Sequence, residues 1–152
     1  MISKPNASHG SPTEAVTDLI LEVFRLNGRL LVAGDRLVTG LGLTSARWQV
    51  LGAIAVSDWP QPVAWLARSM GLNRQGVQRI ANELHEEGLV EFCPNPNHRR
   101  AHFVVMTERG KSVFDAAGRL QAPWAAALAE GLSLDDIATC ARVAADLRKR
   151  LD

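Results

Sequence analysis

Gly71-Leu72-Asn73-Arg74-Gln75-Gly76-Val77-Gln78-Arg79-Ile80-Ala81-Asn82-Glu83-Leu84-His85-Glu86-Glu87-Gly88 is the stretch whose reading decides the fold. Its opening residues describe a tight turn into a helix, with Asn73 as the N-cap. Val77, Ile80, Ala81 and Leu84 recur at helical spacing and define one apolar face. The other face collects Arg74, Gln75, Gln78, Arg79 and Asn82, all hydrogen-bond donors. Gly88 ends the helix, because glycine readily takes the left-handed backbone that helix C-termini favour. Immediately beyond, residues 89–93 and 101–106 have strand composition, and Pro94-Asn95-Pro96-Asn97-His98-Arg99-Arg100 joins them. A donor-rich helix is thus followed by a two-stranded hairpin with a basic tip, a chemistry suited to a nucleic acid.

Working upstream, residues 63–70 form a short helix with Val63, Leu66, Ala67 and Met70 facing inward. Two helices joined through Gly71-Leu72 make a helix-turn-helix unit. Before it, Ser57-Asp58-Trp59-Pro60-Gln61-Pro62 reads as a turn, and Thr44 caps a helix through about residue 56 carrying Trp48, Leu51, Ile54 and Ala55. Gly52 inside that helix either weakens it or marks a close helix contact. Further back, Ser11-Pro12-Thr13-Glu14 carries an N-cap, a first-turn proline and the glutamate of a capping box. This helix should run to about residue 38, where Gly40 and Gly42 stop it. Its stripe of Val16, Leu19, Ile20, Val23, Leu26, Leu30 and Leu37 needs a partner surface.

Downstream, Thr107 caps a helix reaching about residue 130, in which Pro123 should produce a kink or an interruption. Ser133-Leu134-Asp135-Asp136 starts a last helix whose Ile137, Cys140, Ala141, Ala144 and Leu147 face one way. Arg148, Lys149 and Arg150 suit the negative end of its dipole. The fold class is mainly α with a small β-hairpin wing: a winged helix-turn-helix core flanked by terminal helices.

Composition narrows the function classes. The chain has 152 residues, 47% hydrophobic and 22% charged, with a formal net charge of +1. That is one domain's length with enough apolar content for a core. The near-neutral balance says nothing about nucleic acid; placement does, since Arg74, Arg79, Arg99 and Arg100 cluster on the deciding stretch. Cys93 and Cys140 lack metal spacing and fit a reducing cytoplasm, both as buried packing thiols. His9, His85, His98 and His102 lack the close pairing of a zinc site, and no cofactor motif is present. The first twelve residues are polar, without a signal peptide's apolar core. Glu22, Arg25, Arg29 and Asp35 break the apolar runs, so no segment spans a membrane. No phosphate loop, nucleophile elbow or tight carboxylate cluster points to an enzyme.

Taken together, Leu66-Ala67 through Gly71-Leu72, Glu83-Leu84-His85-Glu86-Glu87-Gly88-Leu89-Val90, Asn95-Pro96-Asn97-His98-Arg99-Arg100-Ala101 and Val105-Met106-Thr107-Glu108-Arg109-Gly110 resemble the MarR family of bacterial regulators. The likeness covers nearly the whole chain. It implies one MarR-like domain, with residues of about 44–110 as the DNA-binding lobe and about 11–39 and 111–152 as dimerisation helices. It implies a homodimer on a palindromic double-stranded operator, with the helix at 73–87 in the major groove and Arg100 as the wing arginine of the minor groove. Where the family's wing usually carries aspartates, this chain has Asn95 and His98.

The side chains expected to reach DNA are Asn73, Arg74, Gln75, Gln78, Arg79, His98, Arg99 and Arg100. Arginine can bond both guanine acceptors, and glutamine can pair donor and acceptor with adenine. The same residues could be an ordinary solvated helix face and solubilising hairpin charges. Agreement of turn, helix and basic tip favours contact with DNA. Gly76 would let the helix approach closely. The resemblance further implies an effector pocket between the first, second and fifth helices, lined by Phe24, Trp48 and Phe114 and suited to an apolar or aromatic small molecule. The expected function is a cytoplasmic transcriptional repressor released by such an effector. The alternative is a winged-helix adaptor or anti-repressor acting through a protein partner.

Overall fold

The computed structural model describes residues 10–152. The expectations placed on the first residues, His9 among them, lie outside the described residues. Helix α1 spans Pro12–Val38, and its N-cap Ser11 accepts from the Glu14 amide at 3.3 Å. A short 3-10 turn, Thr39–Leu41, follows, and Gly42 closes it at φ 72°. Helix α2 is Ser45–Ala55, capped by Thr44 through the Arg47 amide. Helices α3, Val63–Met70, and α4, Arg74–Glu86, form the helix-turn-helix. Gly71 between them sits at φ 66°. Strands β2, Val90–Cys93, and β3, Phe103–Met106, make the hairpin. Helix α5 is Glu108–Ala129 and α6 is Leu134–Leu151, capped by Ser133.

Three expectations need correction. Residues 57–62 are not only a turn: Gln61–Pro62 is a strand, β1, paired antiparallel with β3, opposite Val104 and Phe103. The sheet therefore has three strands in the order β1-β3-β2. Pro62 fits there because β1 is an edge strand, where its missing N–H costs no ladder bond. Of the kink or interruption expected at Pro123, the interruption is the part corrected: α5 is helical on both sides of it. The hydrogen bonds of the flanking turns carry the helix past the one donor that proline lacks. The thiols are not buried: Cys93 is half-buried and Cys140 is exposed, and both are free.

The apolar faces read from periodicity meet in one core. Leu51 and Val50 of α2, Leu66 of α3, Val77, Ala81 and Leu84 of α4, Val90 of β2 and Val104 of β3 are all essentially inaccessible. Fully burying each large aliphatic side chain stabilises by roughly 1.5–3 kcal/mol relative to exposure, so this cluster sets where α4 sits. The α1–α2 junction is equally specific. The Ser45 amide donates to Asp35 Oδ1 at 2.7 Å, and Ser45 Oγ donates to the Leu31 carbonyl at 2.7 Å. Gly34 lies against that hydroxyl with no room for a Cβ. Gly52, by contrast, faces Phe114 at ordinary van der Waals distance, 3.8 Å from where a Cβ would stand.

The chain divides into two compact units, one ending at Ala117 and the other Gly118–Asp152. In the first, α1 leaves Ile20, Val23, Phe24, Leu26 and Leu30 exposed. In the second, Leu128, Leu132, Leu134 and Ile137 are exposed. No helix among the described residues is long and apolar enough to cross a membrane.

Candidate nucleic-acid interface

Local chemistry starts α4 where the reading placed it. Asn73 Oδ1 accepts from the Gly76 amide at 2.7 Å, satisfying one of the orphan donors of the first turn. A Cβ on Gly76 would stand 3.2 Å from that oxygen, so the glycine has a reason inside the cap itself. Asn73 is thus occupied as a cap, and its side-chain oxygen is committed to the backbone.

Beyond the cap, Arg74, Gln75 and Arg79 are exposed on α4 and Gln78 is half-buried. Gln78 Nε2 donates to Asn82 Oδ1 at 2.9 Å, which orients both amides along the helix face. Arg79 donates to Glu83 Oε1 at 3.0 Å. Glu83 in turn receives Arg47 of α2, whose Nε and second guanidinium nitrogen both lie 3.2 Å from Glu83 Oε2. Arg47 also reaches Glu87 Oε1 at 2.6 Å. One arginine therefore ties α2 to two carboxylates near the end of α4.

The wing is braced from within. Asn95, only 8% exposed, donates its amide to the Ala101 carbonyl at 2.9 Å. Its Oδ1 accepts from the Asn97 amide at 3.1 Å. Backbone bonds from His98 to Asn95 and from Ala101 to His98 complete two successive turns. An aspartate at position 95 would have no donor for the Ala101 carbonyl, so the asparagine has its own structural use here. His98, Arg99 and Arg100 are exposed at this tip.

Arg74 and Gln78 of α4 and Arg100 of the wing line one cleft of about 260 Å³. Asn82 and His102 line it too. Neither was singled out as a contact from sequence; for His102 the available signal was strand alternation, which sets it on the same face as buried Val104. His98 and Arg99 stand outside the cleft. Among the described residues, Arg74, Arg99 and Arg100 form no ion pair, so their charge is available to an anion. His85 is structural: its Nδ1 lies 3.1 Å from the Val90 carbonyl and its ring packs 5.1 Å from that of Phe92. No cluster of His, Cys, Asp or Glu among the described residues could hold a metal ion.

A second cavity, of about 410 Å³, opens between the end of α2, β3 and the start of α5. Phe114 lines it together with Trp59, Leu66 and Met106. The other two residues expected at a ligand pocket are elsewhere. Trp48 packs against the main core, and Phe24 is 70% exposed on α1. Periodicity placed Trp48 on the inner face of α2, and that face is used for packing.

Comparison with known proteins agrees with this geometry. The model of the MarR family matches residues 41–101, which hold α2, the helix-turn-helix and the wing tip. The uncharacterized protein Rv2011c of Mycobacterium tuberculosis is 41% identical over 104 residues, covering 68% of this chain and 71% of its own. BadR of Rhodopseudomonas palustris, a transcriptional activatory protein, is 29% identical over 104 residues, covering 67% of this chain and 59% of its own. The crystal structure of CouR from Rhodococcus jostii RHA1, bound to p-coumaroyl-CoA, shares the fold with a TM-score of 0.68 at 24% identity, over 88% of this chain and 89% of that one. A helix-turn-helix with a donor-rich second helix, a basic wing beside it and these similarities lead to one assignment: the chain belongs to the MarR family of winged-helix transcription regulators.

Proposed function

We propose that the protein is a homodimeric repressor that binds a palindromic operator and is released by a small apolar or aromatic molecule, working in the cytoplasm where its DNA is. The observation that carries the DNA reading is the shared cleft of Arg74, Gln78 and Arg100. A helix side chain that can read a base edge and a wing arginine that can enter the adjacent minor groove face a common space. Arg74 and Arg99, which form no ion pair among the described residues, supply phosphate contacts that fix register without carrying sequence information.

Dimerisation is supported by the apolar stripe of α1. Phe24 is 70% exposed and Leu26 53% among the described residues, on the outward side of that helix. Burial against a second copy would remove that surface from water at about 25 cal/mol per Å² of apolar area. Two copies would set their α4 helices on half-sites about 34–36 Å apart.

The cavity beside Phe114 and Trp59 is the proposed effector site. Its lining carries Lys111, already paired with Glu108 at 2.8 Å, against Asp58 and Asp115. That balance favours a ligand without net negative charge. CouR, a structural relative, holds p-coumaroyl-CoA in its crystal, a precedent for an aromatic group but not for this charge balance, because the coenzyme A part is anionic.

Fluorescence anisotropy tests the DNA reading. Purified protein is titrated onto DNA from its own upstream region and onto a scrambled duplex, across a salt series. Preference for the native duplex, two chains per site and a log–log salt slope of about −0.9 per neutralised phosphate are expected. Arg74→Ala and Arg100→Ala should each weaken binding by about 1–3 kcal/mol, roughly 5- to 150-fold, the range for a good arginine contact. Wild-type protein that binds neither duplex at low salt would refute the reading.

A further inference from the structure

Arg79 differs from the other arginines of the interface. Arg74, Arg99 and Arg100 form no ion pair among the described residues, whereas Arg79 is held by Glu83. The holding group is itself held. Glu83 Oε2 takes two nitrogens of Arg47 at 3.2 Å, and the Arg47 side chain is only 21% exposed. Glu83 Oε1 is left for Arg79, whose side chain is 71% exposed. One carboxylate therefore has a largely buried inner partner on α2 and an exposed outer partner on the DNA-facing side of α4.

Two consequences follow from the chemistry. The guanidinium has five N–H donors in a rigid fork, and Glu83 takes a nitrogen at one corner of it. The remaining donors stay available to the acceptors of a base edge, and the long side chain has lost much of its rotamer freedom before DNA arrives. The charges of Arg47, Arg79, Glu83 and Glu87 also cancel, two against two. A phosphate gains little from approaching such a cluster, while a guanine edge, read through hydrogen bonds, still gains.

We propose that Glu83, anchored by Arg47, is a specificity-determining positioning residue: it aims Arg79 at a base and withholds it from the phosphate backbone. The inference rests on the DNA-binding reading above and names how that interface discriminates between sequences.

The test uses full-length protein and two duplexes, one enriched by repeated selection from a random library and one with the same bases scrambled. Affinities for both are measured across a salt series for wild type, Glu83→Gln, Arg79→Ala and the double variant. Glu83→Gln should tighten binding to the scrambled duplex and steepen its log–log salt slope by roughly 0.9 per freed Arg79. It should also lower the selected-to-scrambled affinity ratio by about tenfold, within the discrimination expected of one bidentate base contact. In the Arg79→Ala background, Glu83→Gln should change neither slope nor ratio. Equal shifts on both duplexes at unchanged slope, or the same effect with Arg79 absent, would reduce Glu83 to a helix brace and overturn the proposal. Should Glu83→Gln fail to fold, Arg47→Gln removes the anchor while leaving Glu83 paired with Arg79, so the affinity ratio should fall without a steeper slope, and an unchanged ratio would overturn the proposal. A wild type that enriches no duplex and shows no salt-sensitive binding would overturn the DNA reading as well. A wild type that discriminates, beside an inert Glu83→Gln, overturns this inference alone.

Discussion

Replacing Gly110 with alanine puts helix propensity and tertiary packing in direct opposition. Position 110 lies in the first turn of α5, where propensity alone favours alanine over glycine by about 1 kcal/mol. The surroundings oppose it. A Cβ there would run into the Leu89 carbonyl oxygen, with Met106 Cγ at 2.7 Å and the Leu89 carbonyl carbon at 3.0 Å. The first obstacle is backbone and cannot rotate away. That carbonyl also accepts the Thr107 amide at 3.0 Å, while Thr107 Oγ1 donates to the Gly88 carbonyl at 2.7 Å and accepts from the Gly110 amide at 3.0 Å. Making room for a methyl means pulling the start of α5 off the turn that joins α4 to β2. Overpacking costs about 1–3 kcal/mol. A strained or lost hydrogen bond adds about 0.5–1.5 kcal/mol. Set against the propensity gain, the net is a destabilisation of about 2 kcal/mol, which for a chain of this size lowers Tm by roughly 4–8 °C. Gly118→Ala in the same helix is the control, because nothing among the described residues lies within 4 Å of its Cβ position. It should be neutral to about 1 kcal/mol stabilising. Circular-dichroism melts at matched protein concentration measure both. Gly110→Ala melting at or above wild type would refute the packing argument.

Asn95→Asp removes the only donor that the side chain offers the Ala101 carbonyl and sets a carboxylate against that oxygen. A loss of about 1–3 kcal/mol at neutral pH is expected, shrinking in acid as the protonated carboxyl regains an O–H donor. Chemical denaturation of wild type and variant at both pH values reads this, and a pH-independent difference would count against the wing brace. Glu108 has its carboxyl held below the usual 4.5, first by the hydrogen bond from Lys111 and then by that residue's charge. Its folded pKa is depressed, so the stabilisation is present above the unfolded value and lost as pH falls through the folded one. Lys111→Gln should return the Glu108 titration midpoint towards 4.5 by carboxyl carbon NMR, and an unmoved midpoint would remove the pair as the cause.

Sequence alone determined whatever acts within a helical turn or two. Ser11, Thr44, Asn73 and Ser133 each cap a helix by accepting an amide three residues on, an interaction that needs no distant partner. Gly71 and Gly88 take positive φ where chain direction must change, as their residue type permits. Periodicity of 3.6 placed Val77, Ile80, Ala81 and Leu84 on the buried face of α4, and Arg74, Gln75 and Arg79 on the exposed one.

Only the tertiary structure decided what spans the chain. Two residues, Gln61–Pro62, are too few to show a strand period, and they become a strand because β3 offers its edge. Arg47 and Glu83, 36 residues apart, meet because α2 and α4 share a core, and neither side chain announces the other. The same holds for the cavity, where Trp59 from a loop joins Phe114 while Trp48, on the apolar face of its helix, is used to fill the core. Local hydrogen-bond chemistry is written residue by residue. Which exposed arginine is free and which is tied depends on how the folded backbone brings distant side chains within 4 Å.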